Sequence, residues 1–413
     1  MKKKVYIINS KFRAINYGIG TYTEQLIECL KTTSIDFGVI NLFSSENEIS
    51  ISEKDGYKQI SIPSSPILFS FGFKNKNLYY RNVAYLLKEI LYEKNIKYIF
   101  HLNFMAESAL AVNLKKLFNS KIILVAHYTD WSFSLLGDYK KLKNIIGKSE
   151  TELEPFEKNV LENLKKDKEL VNMCDKLICV AKHSLYYFVD ICHVNPTKCL
   201  VVNNALKDIY KKKYINQKNR IKKKFNIPES SKIVIFAGRL DKVKGVLYLI
   251  KAFIKLYNKN PNTLLYIAGE GGFSHYLSVA ENYWGKIIFT GKLDKKTLYE
   301  LYSISDIGVV SSIHEEFGFV AIEMMMHKLP LIVTNTGGLA EIVEENVSGL
   351  KIPIRTIKGK RCIDTTKMKQ KIDILLNNPD LASNIAKNGR RRFLEKYELS
   401  LFKEKMAELY SNI

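Results

Sequence analysis

Residues 307–324 read IGVVSSIHEEFGFVAIEM. Ile307 to Val310 is a short apolar run of strand type, and from Phe319 the pattern is helical, so the polar stretch between them is a strand-to-helix turn. Two acids bracket that turn: Glu315 lies in the loop and Glu323 inside the helix. Gly318 permits close approach of another group to the backbone. The amides of Phe319 and Val320 open the helix, where a bound anion gains roughly 0.3 to 2 kcal/mol.

On either side of this segment, short apolar strands alternate with amphipathic helices, the pattern of parallel sheets with helices on both faces. In the same half the other strands are Ile233 to Ala237, Leu264 to Ala268, Ile287 to Thr290 and Leu331 to Thr334. In the first half they are Val5 to Ile8, Gly38 to Leu42, Tyr98 to Leu102, Ile122 to Ala126, Leu177 to Val180 and Leu200 to Val202. The clearest helices between them are Thr21 to Leu30, Leu78 to Tyr92, Phe156 to Met173 and Ser184 to Asp190. The third opens after Pro155, a residue tolerated in a first helical turn.

The pattern restarts after a basic, loop-like stretch. The expected class is therefore α/β, with two doubly wound, Rossmann-like domains facing a central cleft lined by the carboxyl ends of both sheets, where such folds take their ligands. The expected boundaries are 1–206 for the first domain, 207–230 for the linker and 231–395 for the second domain. The remainder, 396–413, carries a last helix, Leu399 to Tyr410, that can pack on either domain and is placed as crossing back to the first.

The totals agree with that plan. A chain of 413 residues exceeds one ordinary core. With 46% hydrophobic residues, 26% charged and nine prolines, extended disorder is not expected. No run approaches the roughly 18 consecutive apolar residues of a membrane-spanning helix. Val5-Tyr6-Ile7-Ile8, after three lysines, falls short of the roughly 7 to 15 apolar residues of a signal peptide and reads as a buried first strand. The six cysteines show no CxxC spacing, which suits reduced, buried thiols and a cytoplasmic protein. Cys174, Cys179, Cys192 and Cys199, with His183 and His193, lack the tight paired spacing of a zinc site, so no metal is expected.

The net charge of +22 suits phosphorylated small molecules, an anionic membrane or nucleic acid as partners. No recognisable nucleic-acid module accompanies it, so a nucleic-acid partner is not expected. Part of the charge is local: residues 207–224 hold eight lysines and one arginine against a single acid, Asp208. That segment reads as a solvated, Lys-rich face, as a peripheral contact with the inner face of an anionic membrane, or as a contact with another anionic partner.

The 311–324 segment resembles the E-x7-E signature of glycosyltransferase family 4, the retaining nucleotide-sugar glycosyltransferases of GT-B fold. Glu315 and Glu323 match its acids, and Phe317-Gly318 its FG step. Phe236 to Gly245 (FAGRLDKVKG) is similar to that family's GRL...KG segment. Gly18-Ile19-Gly20-Thr21-Tyr22 resembles its Gly-rich turn into the first helix, and Ala126-His127-Tyr128-Thr129 its histidine loop. Val202-Asn203-Asn204-Ala205 sits where members read IPNG, and Thr334, Gly337, Gly338 and Glu341 match its TxxGGxxE turn. The likeness runs over nearly the whole chain in the family's order. Ser311 and Asn203 replace prolines, Ala205 a glycine, and Glu316 the glycine usual at that place, where it offers charge near a helix start.

The resemblance implies an acceptor-side first domain and a donor-binding second one. Arg239, Lys244, Glu315 and His127 are then the catalytic residues. Glu323 holds the ribose, Gly318, Phe319 and Val320 the phosphates, and the loop Gly291-Lys292-Leu293 the base, with Gly18 and Gly20 near the phosphate or acceptor. The chemistry fits independently, because sugar transfer leaves a diphosphate anion that a forked guanidinium and an ammonium stabilise. The co-substrate is a nucleotide-diphosphate sugar, UDP- or GDP-linked, with no further cofactor and no metal. The acceptor is not legible. A glycosidase would need two carboxyls flanking one bond, roughly 5 to 9.5 Å apart, whereas here one acid goes to ribose. An epimerase or phosphorylase of the same fold, and a non-catalytic binder of anionic ligands, are the alternatives.

Overall fold

The apolar runs pair into two parallel sheets. In the computed structural model, which describes residues 2–10, 18–64, 73–105 and 108–413, the first sheet contains β1 (Lys2–Ser10), β2 (Asp36–Ser44), β3 (Ser50–Lys54), β4 (Tyr57–Pro63), β5 (Ile96–Leu102), β6 (Lys121–Ala126), β7 (Lys176–Cys179) and β8 (Cys199–Val201). Their order is β3-β4-β2-β1-β5-β6-β7-β8, parallel except for the β3–β4 hairpin. That hairpin turns at Asp55 and Gly56, both at positive φ, the chemistry of a tight two-residue turn.

The second sheet contains β9 (Lys232–Ala237), β10 (Thr263–Ala268), β11 (Ile287–Gly291), β12 (Ile307–Val310), β13 (Leu331–Thr334) and β14 (Leu350–Ile352). The order β11-β10-β9-β12-β13-β14 is wholly parallel and doubly wound, reversing direction between β9 and β12. Strands β9, β10, β12 and β13 are buried because helices cover both faces: Val234 and Phe236 of β9, Leu265 of β10 and Ile332 of β13 join Leu249 and Phe253 of the helix Val246–Tyr257 in one core. At a reversal of this kind adjacent crossovers leave on opposite faces, so the loops after β9 and β12 diverge and leave a crevice at the carboxyl edge.

Two compact units divide the chain. One gathers Met1–Ser134, Tyr139–Asn204 and Leu399–Ile413, and the other Leu135–Asp138 and Ala205–Glu398. The helix Leu399–Asn412 thus belongs to the first unit, where Phe402 meets Tyr22 edge-on and Lys3 Nζ donates to the carbonyl of Ser411 at 2.7 Å. The expectation of a loop over 207–230 is corrected. Ile215–Lys224 is a helix, and the stretch is part of the second unit. None of its residues is buried, so it lacks the apolar stripe by which a helix is read; ion pairing fastens it instead, through Lys224 to Glu300 at 2.5 Å.

Candidate active site

Three loops meet at the carboxyl edge of the second sheet beside its reversal point. After β9 the chain turns at Gly238, whose φ of 148° and whose contact with Gly269 require glycine: a Cβ on Gly269 would stand 1.7 Å from the carbonyl oxygen of Gly238. Asp241 then caps a short 3-10 turn, accepting from the amide of Lys244 at 3.1 Å. The same carboxylate faces Arg239 Nη2 at 3.1 Å, which aims the guanidinium. Gly245 closes the turn at φ 65°, against the backbone of Ser311, with no room for a side chain.

The 311–318 loop is laced to this turn. Ser311 Oγ donates to the carbonyl of Lys244 at 3.0 Å, and the Ile313 amide to the carbonyl of Val243 at 2.6 Å. Lys244 Nζ consequently meets Glu315 Oε2 at 2.5 Å, and Ser312 Oγ donates to the same oxygen at 3.0 Å. Both members of the pair are about one-fifth exposed. The ion pair is therefore partly shielded from solvent and open on one side. From the third loop, Thr334 and Thr336 donate to the carbonyls of Ser312 and Ile313. Gly338 packs on the backbone of Glu316 and Phe317 and gives its amide to the carbonyl of Glu315 at 2.9 Å.

Gly318, at φ 116°, opens the helix Phe319–Met326, so the amides of Phe319 and Val320 form its first turn. Those amides are among the donors that an α-helix leaves without intrahelical partners. Glu323 lies buried inside this helix, accepting from Tyr299 at 3.4 Å. Burial drives its carboxyl up to about 7, while the charge of Lys295 and the Tyr299 hydroxyl pull the other way. Gly291 ends β11 at φ 70°, with its carbonyl accepting from Gly269 at 2.8 Å. Lys292 and Leu293 follow, with Lys292 Nζ at 4.0 Å from Glu270.

Sequence reasoning singled out Arg239, Lys244, Glu315 and Glu323; the structure joins Lys244 to Glu315, gives Arg239 to Asp241, and holds Glu323 separately through Tyr299. Asp241, Ser312, Thr334, Thr336 and Tyr299 complete the cluster. Of these, Thr334 is already matched in the TxxGGxxE turn, and Asp241 carried a readable signal, a capping acid three residues before Lys244. Glu316, read as a helix-start charge, is instead a shielded partner of His314, at 3.1 Å.

In the first unit, Gly18 and Gly20 form the first turn of the helix Gly18–Lys31. His127 follows β6 with its ring edge-on to Tyr22 at 4.6 Å. Its Nε2 is buried without a hydrogen-bond partner among the described residues, and burial lowers its pKa to about 3. The ring is neutral at ordinary pH. Beside it, His101 sits between the hydroxyls of Tyr22 at 3.2 Å and Tyr410 at 2.8 Å, also lowered to about 3 by burial and by His127. Asn103 donates to Asn9 and Thr23, extending the network. Asn204, 2% exposed, keeps its amide oxygen without a partner among the described residues.

Comparison with known proteins agrees with this layout. Residues 217–392 match the family of glycosyl transferases group 1. This group 1 segment covers the helix Ile215–Lys224 from its third residue, the whole second sheet and every second-unit site residue named above. An uncharacterised glycosyltransferase of Methanocaldococcus jannaschii is 28% identical over 197 residues, covering 47% of this chain and 48% of that protein. The α-D-kanosaminyltransferase of Streptomyces kanamyceticus is 27% identical over 184 residues, 44% and 46% of the two chains. These alignments span about half the length of the relatives, whereas N-acetyl-α-D-glucosaminyl L-malate synthase of Bacillus anthracis aligns over 80% of this chain and 77% of its own, at 25% identity. Among solved structures, sucrose-phosphate synthase of Thermosynechococcus elongatus matches with a TM-score of 0.77 at 18% identity over 100% of this chain and 99% of that one. Anabaena HepE in complex with UDP matches with a TM-score of 0.72 at 16% identity over the full length of both. The fold is GT-B.

Proposed function

We propose that the protein is a retaining, metal-independent glycosyltransferase that moves a sugar from a nucleotide-diphosphate sugar to an acceptor hydroxyl. The observation that carries this reading is the Lys244–Glu315 pair at the reversal point of the second sheet, flanked by Arg239 and by the helix that opens at Gly318. A diphosphate placed there meets a guanidinium, an ammonium and the amides of Phe319 and Val320. Glu315, released from part of its bond to Lys244, accepts from a sugar hydroxyl, and Glu323 accepts from the ribose.

As the glycosidic bond to the diphosphate breaks, negative charge grows on the leaving phosphate, and fixed cations stabilise that charge without reorganising. Arg239 and Lys244 take the place that a divalent ion fills elsewhere. The acceptor hydroxyl attacks on the face from which the diphosphate leaves, and a phosphate oxygen takes its proton. His127, neutral and with an unpartnered nitrogen, is suited to hydrogen-bond a sugar hydroxyl rather than to carry charge.

The UDP bound to HepE favours a uridine nucleotide as donor. A thermal-shift screen against UDP, GDP, ADP and CMP and their sugars tests the reading. One nucleotide series should raise the melting temperature selectively, since binding only the folded state stabilises it by mass action. Each hit is then incubated with acceptor and, separately, alone. Donor conversion that needs no acceptor would mark an epimerase, and no selective stabilisation by any diphosphate would remove the proposal.

A further inference from the structure

The second unit carries another basic site, at the opposite edge of its sheet. A cavity of about 420 Å³ is lined by Lys212, Lys213, Lys218, Lys232 and Lys328 against a single carboxylate, Asp306. Lys232 begins β9, Asp306 immediately precedes β12, and Pro330 immediately precedes β13, so this cavity lies at the amino ends of the strands. The diphosphate-binding loops described above leave the carboxyl ends.

One polar group in the cavity wall has no hydrogen-bond partner among the described residues. That group is Nε2 of His327, whereas the hydroxyl of the buried Tyr302 is engaged by Glu323. Leaving such a group unsatisfied costs about 1 to 3 kcal/mol, so it is suited to a ligand atom. Asp306 is already engaged, by Lys232 at 3.1 Å and by the amide of Ile233 at 2.8 Å. The uncompensated charge of the wall is therefore positive.

The wall is also fixed in place. Arg390 grips both oxygens of Asp208, at 2.8 and 2.5 Å, and lies over the ring of Tyr210. That clamp holds the stretch from which Lys212 and Lys213 project. Lys328 occupies the left-handed position after the helix Phe319–Met326, at φ 57°. Glycine would sit there at less cost, so the lysine side chain is what the position supplies.

We propose that this cavity binds the phosphate group of a second, phosphorylated ligand, with the lysines neutralising its charge and His327 donating a hydrogen bond to one of its oxygens. The source of the phosphate is a soluble phosphorylated metabolite or a lipid headgroup carrying a phosphomonoester. His327 is kept neutral by burial and by Arg390, which push its pKa down to about 4. It meets the anion as a neutral donor, and the lysines supply the charge.

The test is calorimetric titration with inorganic pyrophosphate of the wild type, of Lys213→Ser/Lys328→Ser, of His327→Phe and of Arg239→Ser/Lys244→Ser. Lys328 is exposed and Lys213 half-buried, so their loss should leave folding intact. Pyrophosphate affinity at one site should fall about tenfold or more in Lys213→Ser/Lys328→Ser, fall less in His327→Phe, and persist in Arg239→Ser/Lys244→Ser. Unchanged titration of Lys213→Ser/Lys328→Ser would overturn the proposal, whatever becomes of the donor site. Flotation with phosphatidylcholine vesicles carrying phosphatidic acid then separates the sources. Cosedimentation lost in the lysine variant assigns the phosphate to a lipid, and binding of pyrophosphate alone assigns it to a soluble ligand.

Discussion

The carboxyl edges of the two sheets hold opposite chemistry. In the second unit the loops after β9 and β12 carry ionised groups, Arg239 against Asp241 and Lys244 against Glu315, each part-exposed. In the first, a neutral, buried network of Asn9, Thr23, His101, Asn103 and His127 joins the ends of β1, β5 and β6 to the first helix. The difference follows from solvation. An ion pair kept partly in water can exchange its partner for a phosphate at modest cost, while a buried imidazole sheds its proton rather than remain charged. One edge is thus suited to an anion and the other to hydroxyls.

The largest expected effect lies on the charged side. Lys244→Ala or Arg239→Ala should lower turnover by about 100- to 1000-fold, the cost of one lost donor to developing charge, and change acceptor KM far less. His127→Ala, which removes a neutral hydrogen bond worth about 0.5 to 1.5 kcal/mol, should cost about tenfold or less. Steady-state kinetics on the three variants would erase the contrast if their losses were equal.

Glu323 is the exception that sharpens it, since it is an acid buried within the charged side. Its folded pKa, about 7, lies above its ordinary value of 4.5, so folding takes up a proton between those limits. That contribution to stability is complete below pH 4.5 and is lost as pH rises through 7. Glu323→Gln should therefore gain up to about 3 kcal/mol over the wild type above pH 7, with the gap closing toward pH 5. Denaturant melts at pH 5 and pH 8 measure it, and a gap independent of pH would show that the carboxyl is not held up.

His101 and His127 give the opposite slope. Their folded pKa values, about 3, lie below the ordinary 6.5, so their contribution is present above pH 6.5 and is lost as pH falls toward 3. At pH 5.5 each should already have cost the fold about 1 kcal/mol, and His127→Asn should flatten part of that acid limb in melts between pH 5 and 7. The smallest effect is Tyr410→Phe, which removes the hydroxyl at 2.8 Å from His101. It should cost about 1 kcal/mol, seen as a drop in melting temperature of roughly 2 to 4 °C.

Much of this arrangement was legible in the residues. The buried strands announced themselves as apolar runs, and the acids at 315 and 323 with the basic pair at 239 and 244 marked the loops that the second sheet brings together. What was not legible has physical reasons. The β3–β4 hairpin escaped because β3 is exposed on both faces and lacks a strand's usual apolar residues, although Asp55-Gly56 signalled its turn. The helix Ile215–Lys224 buries none of its residues. The network around His101 joins residues from β1, β5, the first helix and Tyr410 near the C-terminus, contacts that no local pattern encodes. The expected segments Gly18 to Tyr22 and Val202 to Ala205 are described, whereas residues 11–17, which lead into the first, lie outside the described residues.

The central claim is that the Lys244–Glu315 pair and Arg239 accept a diphosphate. Calorimetric titration of UDP, with uridine as the uncharged reference, tests it most directly in the wild type, Lys244→Ala and Glu315→Gln. The account predicts that Lys244→Ala loses about tenfold or more in UDP affinity while uridine binding is unchanged, and that Glu315→Gln, which frees the ammonium, keeps or gains affinity for UDP. Equal UDP affinity in Lys244→Ala and the wild type would contradict it.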